Sequence, residues 1–310
     1  MIFDIPNGET LPADLKRAFN NIRQGRRPID DRREKQELRA SSFPICPRAY
    51  HIFRRTPPGK RPRYEESFVS EAATSMGTAI HLVLQKWFAI QGSLYGNWVC
   101  VHCKKIRRHA LGVQKCQICK REMIYHEYEV APSPQTPFSG HIDGIIKTVD
   151  GWYLIDFKGA SAPLIRDLKQ KNKPKESHYL QVNAYANAVN LNPKAYGSVG
   201  KISKVIIIYV DRGQAHRLWL PIKVKVSQRI YRETIGRIQL AKNSLKDMTI
   251  PRGLCVQPSD DYARYCPWKQ ICFSPAIEGL LSSKVEPIGE RRQHRSEQEL
   301  MMLASYLQDN

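Results

Sequence analysis

The stretch from Gly140 to Ala160 constrains this chain more than any other. It reads Gly-His-Ile-Asp143-Gly-Ile-Ile, reaches an Asp150-Gly151 pair, and continues Trp-Tyr-Leu-Ile-Asp156-Phe157-Lys158-Gly. Two apolar runs flanking Asp-Gly are a strong short-range signal for a β-hairpin. Such a hairpin puts Asp143 on one strand and Asp156 and Lys158 on its partner. Asp156 and Lys158 are two residues apart, so their side chains leave the same face. The run Trp152, Tyr153, Leu154, Ile155 reads as a strand buried on both faces. A charge entering such a strand is costly unless it is paired or metal-bound, so a merely solvated pair fits less well. Two carboxylates and an ammonium on one sheet surface can hold a divalent metal and activate water.

Two flanking segments extend the pattern. Gly77-Thr-Ala-Ile-His81 opens an amphipathic run (His81, Leu82, Leu84, Gln85, Trp87, Phe88), and Gln181-Val-Asn-Ala-Tyr185 follows the hairpin. Gln181 and Tyr185 are i,i+4 neighbours on one helical face. A lone His on a helix is ordinarily a core residue, but four elements in this order and register weigh the other way. The set resembles the PD-(D/E)xK nuclease superfamily, and within it the RecB-like branch that includes AddB and the iron–sulfur CRISPR adaptation nucleases. There a G-x-x-x-H helix precedes the hairpin and a Q-x-x-x-Y helix follows it. The resemblance covers roughly residues 43 to 275 in blocks, with specific matches only at the motifs.

The resemblance implies an α/β fold: a restriction-endonuclease-like central sheet flanked by helices. Carried over residue by residue, Asp143 and Asp156 would bind the catalytic metal, with His81 as a further ligand and the Phe157 backbone carbonyl joining them. Lys158 would orient or deprotonate the attacking water. The family also uses an acidic residue on the strand before the hairpin. Glu127 and Glu129 both sit on Tyr125–Val130, where alternation puts them on one face, and Glu129 is slightly favoured. Gln181 and Tyr185 would position the DNA backbone or the lysine. Oxygen ligands plus one imidazole favour Mg²⁺ or Mn²⁺.

Eight cysteines tell a second story. Cys100-x2-Cys103 and Cys116-x2-Cys119 have twelve residues between the pairs and stand among Lys104, Lys105, Arg107, Arg108, Lys115, Lys120 and Arg121. This spacing brings four thiolates around one ion and predicts a zinc-ribbon-like module. No signal peptide is evident at Met1-Ile-Phe-Asp, which suggests a reducing, cytoplasmic setting (prokaryotic or viral-encoded, not secreted) and disfavours disulfides. So short a segment would draw its folding energy from the metal. Its basic coat, Arg107 and Arg108 included, suggests contact with nucleic acid, a purely structural insertion being the alternative. The other four, Cys46, Cys255, Cys266 and Cys272, bracket the nuclease motifs. They resemble the branch's [4Fe–4S] staple, in Phe43-Pro-Ile-Cys46-Pro-Arg-Ala-Tyr50 and Cys266-Pro-Trp-Lys-Gln-Ile-Cys272. The family places another cysteine where this chain has Ala263, so Cys255 would substitute from eleven residues upstream of Cys266. A second zinc or buried free thiols are the alternatives.

Lys and Arg number 49 against 29 Asp and Glu, a net charge of +20. That excess suits a polyanionic partner and argues against a small-metabolite enzyme, which needs positive charge only near its pocket. The chain divides into a basic arm (1–42), a helical part (43–95), the zinc-ribbon-like insertion (96–124), a nuclease core (125–246), a cysteine segment (247–278) and a charged tail (279–310). Short helices are expected at Leu11 to Arg23 and Glu297 to Leu307. Strands are expected at Val205 to Val210 and Arg217 to Ile222, and a helix at Gln228 to Lys246. A basic loop at Leu168 to Lys175 (Lys169, Lys171, Lys173, Lys175) would pass near a phosphate backbone. No apolar run is long enough to span a membrane. The expected function is a Mg/Mn-dependent deoxyribonuclease acting on single strands or ends of double-stranded DNA, in recombination, repair or viral DNA metabolism, with a possible helicase or recombination partner. The alternative is a catalytically weak DNA-binding subunit of a larger complex.

Overall fold

A computed structural model describes residues 38–42, 44–57, 68–197, 199–213, 218–264 and 266–274. The helices expected at Leu11 to Arg23 and Glu297 to Leu307 lie outside the described residues. In chain order come α1 (Pro47–Arg55), α2 (Phe68–Ile90), β1 (Leu94–Val99), β2 (Ile106–Leu111), β3 (Ile124–His126), β4 (Tyr128–Val130), β5 (Gly140–Ile142), β6 (Gly144–Thr148) and β7 (Gly151–Ala160). Then follow α3 (Ala162–Lys171), α4 (Glu176–Leu191), β8 (Lys204–Asp211), β9 (Trp219–Lys225), α5 (Gln228–Lys246) and two single turns, α6 (Asp261–Arg264) and α7 (Lys269–Cys272).

The main sheet runs β2-β1-β6-β7-β8-β9, with β3 also paired to β1. Only β7 and β8 pair in parallel, so this is a mixed sheet in a mixed α/β fold. β7 is buried on both faces, as its apolar run requires. Ile155 and Phe157 face Leu84 and Phe88 of α2, while Leu154 faces Val182 and Tyr185 of α4. Alternation therefore sends Asp156 and Lys158 toward α4. The hairpin forms in the expected place, but its two-residue turn is Val149-Asp150, because Gly151 already pairs with Thr148. The positive φ of Gly151 (+113°) is one that L side chains rarely adopt.

Three local expectations change. The chain is already extended at Leu94 and Tyr95, the end of the part expected to be helical, and β1 to β3 hydrogen-bond into the main sheet. The cysteine-bearing segment thus continues the sheet edge, its β1 edge shared between β6 and β3. Lys169 and Lys171 end helix α3 instead of lying in a loop, and Asn172 caps it with φ +47°. The run Ala162–Lys171 keeps Ile165 and Leu168 on one buried face, which outweighs its lysines. The last strand is β9, two residues later than expected at its start, while α5 spans the expected residues.

Candidate active site

The site lies where β6 peels away from β7. Their ladder ends at Gly144 opposite Ile155, leaving the next residues of β7 without a β6 partner. Asp143 sits at the bend between β5 and β6, and its Oδ2 accepts the Phe157 amide N–H at 2.7 Å. A carboxylate has taken the place of a backbone carbonyl, so Asp143 is fixed to β7 although it is not on a strand. Phe157 thus meets Asp143 through its amide, and its ring packs on His81 of α2 at 5.7 Å between centroids.

The acidic residue brought to this notch is Glu127. The strand expected over Tyr125–Val130 is broken at Glu127: β3 belongs to the main sheet, β4 pairs with β5, and alternation does not carry through the corner. Glu129, the residue slightly favoured from alternation, is instead exposed on β4 opposite His141. Ligand atoms of His81, Glu127 and Asp143 lie within 4.8 Å of one another. His81 Nδ1 is 3.5 Å from Asp143 Oδ2. Gln85, one turn beyond His81 and 5% exposed, donates from Nε2 to Glu127 Oε1 and to the Asp143 carbonyl, both at 2.8 Å. Sequence reading passed over Gln85, although its i,i+4 spacing from His81 on a helix is the signal that finds it.

Asp156 and Lys158 stand beside this group. Asp156 is 1% exposed, and the Lys158 ammonium lies 3.0 Å from its Oδ1 and 2.9 Å from its Oδ2. The ammonium thus bridges both carboxylate oxygens, with the hydrogen bond directed at Oδ1. Burial, then the charge of Asp143, push Glu127 up to about 7. Burial also raises Asp156 to about 6, with Lys158 opposing and Asp143 adding to the rise. Burial pulls Lys158 down, but the carboxylates of Asp156 and Asp143 outweigh it and hold the ammonium above its usual range. Carboxylates that resist ionising together are stabilised in their charged forms by a cation among them. The donor set fits a hard divalent ion.

Gln181 and Tyr185 face the site from α4, with Gln181 Nε2 3.4 Å from the Tyr185 hydroxyl. Tyr185 also fixes the backbone, because a Cβ added at Gly140 would collide with its ring and hydroxyl. Glycine there lets β5 approach α4, three residues before Asp143.

The sequence pattern of the PD-(D/E)XK nuclease superfamily matches residues 38–273, most of the chain. The chain belongs to the PD-(D/E)XK nuclease superfamily. Nucleases of this superfamily hydrolyse phosphodiester bonds and typically use divalent metals. No curated protein matches the chain. Among solved structures, LHK-Exo in complex with dAMP is similar at 12% identity and TM-score 0.37, covering 69% of this chain and 89% of that one. SSO0001 is similar at 15% identity and TM-score 0.34, covering 77% and 87%.

The eight cysteines of this superfamily member form two groups. The sulfurs of Cys100, Cys103, Cys116 and Cys119 lie within 4.8 Å of one another. Each pair sits on the same turn. Lys104 N–H donates to the Cys100 carbonyl and Lys120 N–H to the Cys116 carbonyl, both at 2.9 Å. Lys104 (φ +55°) and Lys120 (φ +61°) both take the left-handed conformation that closes it. Cys46, Cys255, Cys266 and Cys272 instead line one cavity, joined by Ala263 and Trp268. Cys46 caps α1, and its sulfur accepts from Ala49 N–H at 3.5 Å and Leu254 N–H at 3.4 Å. Cys255 and Ala263 both line this cavity. The basic residues divide as well: Arg107 and Arg108 are exposed on β2, and Lys169, Lys171, Lys173 and Lys175 are exposed around the α3–α4 turn. Among the described residues no helix is long and apolar enough to cross a membrane.

Proposed function

We propose that the protein is a Mg²⁺- or Mn²⁺-dependent deoxyribonuclease of the RecB-like type, acting on single strands or on the ends of double-stranded DNA. The observation that carries this reading is the convergence of His81, Glu127 and Asp143, with the buried Asp156–Lys158 pair in electrostatic reach, at the notch where β7 loses its β6 partner. His81, Glu127, Asp143 and Asp156 would hold the metal, with the Phe157 carbonyl as a further oxygen. When bound, the metal supplies Lewis-acid polarisation and a more acidic water. Lys158 stays charged, places the water and offsets negative charge on the phosphoryl oxygens in the transition state. Hydrolysis then joins the water oxygen to phosphorus and breaks a bridging P–O bond, the water giving up a proton to solvent and the departing oxygen taking one from it. Gln85 holds Glu127 and the Asp143 backbone in register, and Gln181 and Tyr185 hold the α4 wall.

The net charge of +20 supports a polyanionic substrate. The Cys100 group supports a structural zinc: four sulfurs at this separation suit one tetrahedral ion, and the paired turns present them symmetrically. The Cys46 group supports a [4Fe–4S] cluster, since its four thiols line one cavity without gathering as closely as the Cys100 group does. Contact of Arg107, Arg108 and the α3–α4 lysines with DNA, a role in repair, recombination or viral DNA metabolism, and a helicase partner belong to the same proposal.

The test is digestion of end-labelled single- and double-stranded DNA by anaerobically purified protein with Mg²⁺ or Mn²⁺, beside Asp143→Ala. Metal-dependent cleavage lost in the variant is expected. Metal-replete protein that binds DNA and never cuts it would replace this reading with that of a DNA-holding subunit.

A further inference from the structure

One imidazole in the α4 wall has no part in the reading above. His178, Gln181 and Tyr185 are spaced i, i+3, i+7 and lie on one face of the helix. Tyr209 of β8 pairs in parallel register with Lys158 of β7, so their side chains leave the sheet side by side on the face covered by α4. The Tyr209 hydroxyl lies 2.9 Å from His178 Nδ1 and accepts the Lys175 backbone N–H at 3.2 Å. Tyr209 is fully buried. A buried hydroxyl proton left without an acceptor is costly, and the acceptor beside it is Nδ1. The ring is therefore held as the tautomer that carries its proton on Nε2.

His178 is only partly buried, and its Nε2 has no hydrogen-bond partner among the described residues. Burial, with Lys158 and Lys175 adding to it, lowers its pKa to about 3, so the ring stays neutral. Neutrality separates it from Lys158: one group offers charge, the other a single directed N–H.

We infer that His178 contacts the substrate, donating its Nε2–H to a non-bridging oxygen of the phosphate bound beside Lys158, with Tyr209 fixing the tautomer. This rests on the nuclease reading of the site. A purely structural role, in which His178 only packs against Tyr209, makes the opposite forecast for two substitutions. His178→Asn keeps an acceptor near the Nδ1 position but has nothing at Nε2. His178→Gln places an amide N–H near the Nε2 position but gives up the Tyr209 contact.

The experiment is single-turnover cleavage at saturating DNA by wild type and both variants, on phosphate and on each phosphorothioate diastereomer, with melting temperatures alongside. His178→Asn is expected to slow cleavage about tenfold, the worth of one hydrogen bond to a charged group, while His178→Gln retains most of the rate. Sulfur at the contacted oxygen should slow wild type and slow His178→Asn much less. Wild-type rates in His178→Asn, or a larger loss in His178→Gln that follows its melting temperature, would overturn the substrate contact and leave the nuclease reading standing. No metal-dependent cleavage by wild type would overturn both.

Discussion

Glu127 and Asp143 face each other across one corner of the fold. β4 and β5 pair Tyr128 with Ile142, and one further step of that register sets Glu127 opposite Asp143. Along β1, the end of β3 at His126 abuts the start of β6 at Gly144, because Asn97 pairs with His126 and Tyr95 with Ile145. Both chains thus leave the main sheet at the same point, and the acidic residue of each is its corner residue. Gln85 fastens the two together. Glu127→Gln should therefore cost at least about 10–100-fold in metal affinity, and Gln85→Ala a similar factor through misplaced ligands. Glu129→Gln should leave metal binding unchanged. Calorimetric titration of the three variants with Mn²⁺ decides it, and equal losses at Glu127 and Glu129 would contradict the corner geometry.

Lys158→Ala should abolish cleavage while sparing DNA binding. It also strands the Asp156 carboxylate, which is 1% exposed, so metal-free protein should lose about 3 kcal/mol or more at pH 8. At pH 5 Asp156 protonates in place of losing its partner, and the loss should shrink. Denaturant unfolding at the two pH values, with DNA binding by fluorescence anisotropy, measures both effects. Cleavage at wild-type rate in this variant would remove Lys158 from the mechanism.

The elevated carboxyl groups give a signed pH dependence. Glu127 at about 7 and Asp156 at about 6 lie above their unfolded values, so in metal-free protein their contribution is present below about pH 4 and lost as pH rises through 6 to 7. Metal needs the ionised forms and offsets that loss. The rise in melting temperature produced by Mg²⁺ should be small at pH 5.5 and grow up to pH 8. A shift independent of pH would mean that these carboxylates do not hold the ion.

His51 runs the other way. Its ring is fully buried in α1 with Nδ1 3.2 Å from Ser244 Oγ, and burial together with Arg55 lowers its pKa to about 4. Its contribution is present above about pH 6.5 and lost as pH falls toward 4, up to about 3 kcal/mol across the window. His51→Gln should flatten this part of the stability–pH curve, read by urea unfolding between pH 7 and 5.

Removing metal from Cys100, Cys103, Cys116 and Cys119 should reach the active site through the chain. Cys119 is five residues before β3, and β3 ends one residue before Glu127. Cys116→Ser should release one zinc per chain, measured by a colorimetric chelator, and weaken Mn²⁺ binding as well. Unchanged Mn²⁺ affinity in zinc-free protein would show that β3 holds Glu127 without it.

Spacing along the chain was enough to read the hairpin, the i,i+4 pairing of Gln181 with Tyr185 and the two C-x2-C turns. Each depends on residues a few positions apart, where period and turn chemistry set geometry directly. Alternation failed at Glu127 because a strand may change sheets between two residues, and nothing in Tyr125–Val130 marks the break. The lysines of Ala162–Lys171 suggested a loop because their helix is held by Ile165 and Leu168 packing on distant strands.

The amino-acid sequence by itself determined the chemical inventory: two carboxylates and a lysine on a β-hairpin, a histidine helix before it, a Gln/Tyr helix after it, and two sets of four thiols. Only the tertiary structure decided which acid joins Asp143, that Gln85 ties the two together, and that Cys255 shares a wall with Cys46, Cys266 and Cys272. These are contacts between residues far apart in the chain, created where strands end and exchange partners. The free energy that selects them comes from burying the two faces of the sheet, which no local spacing records.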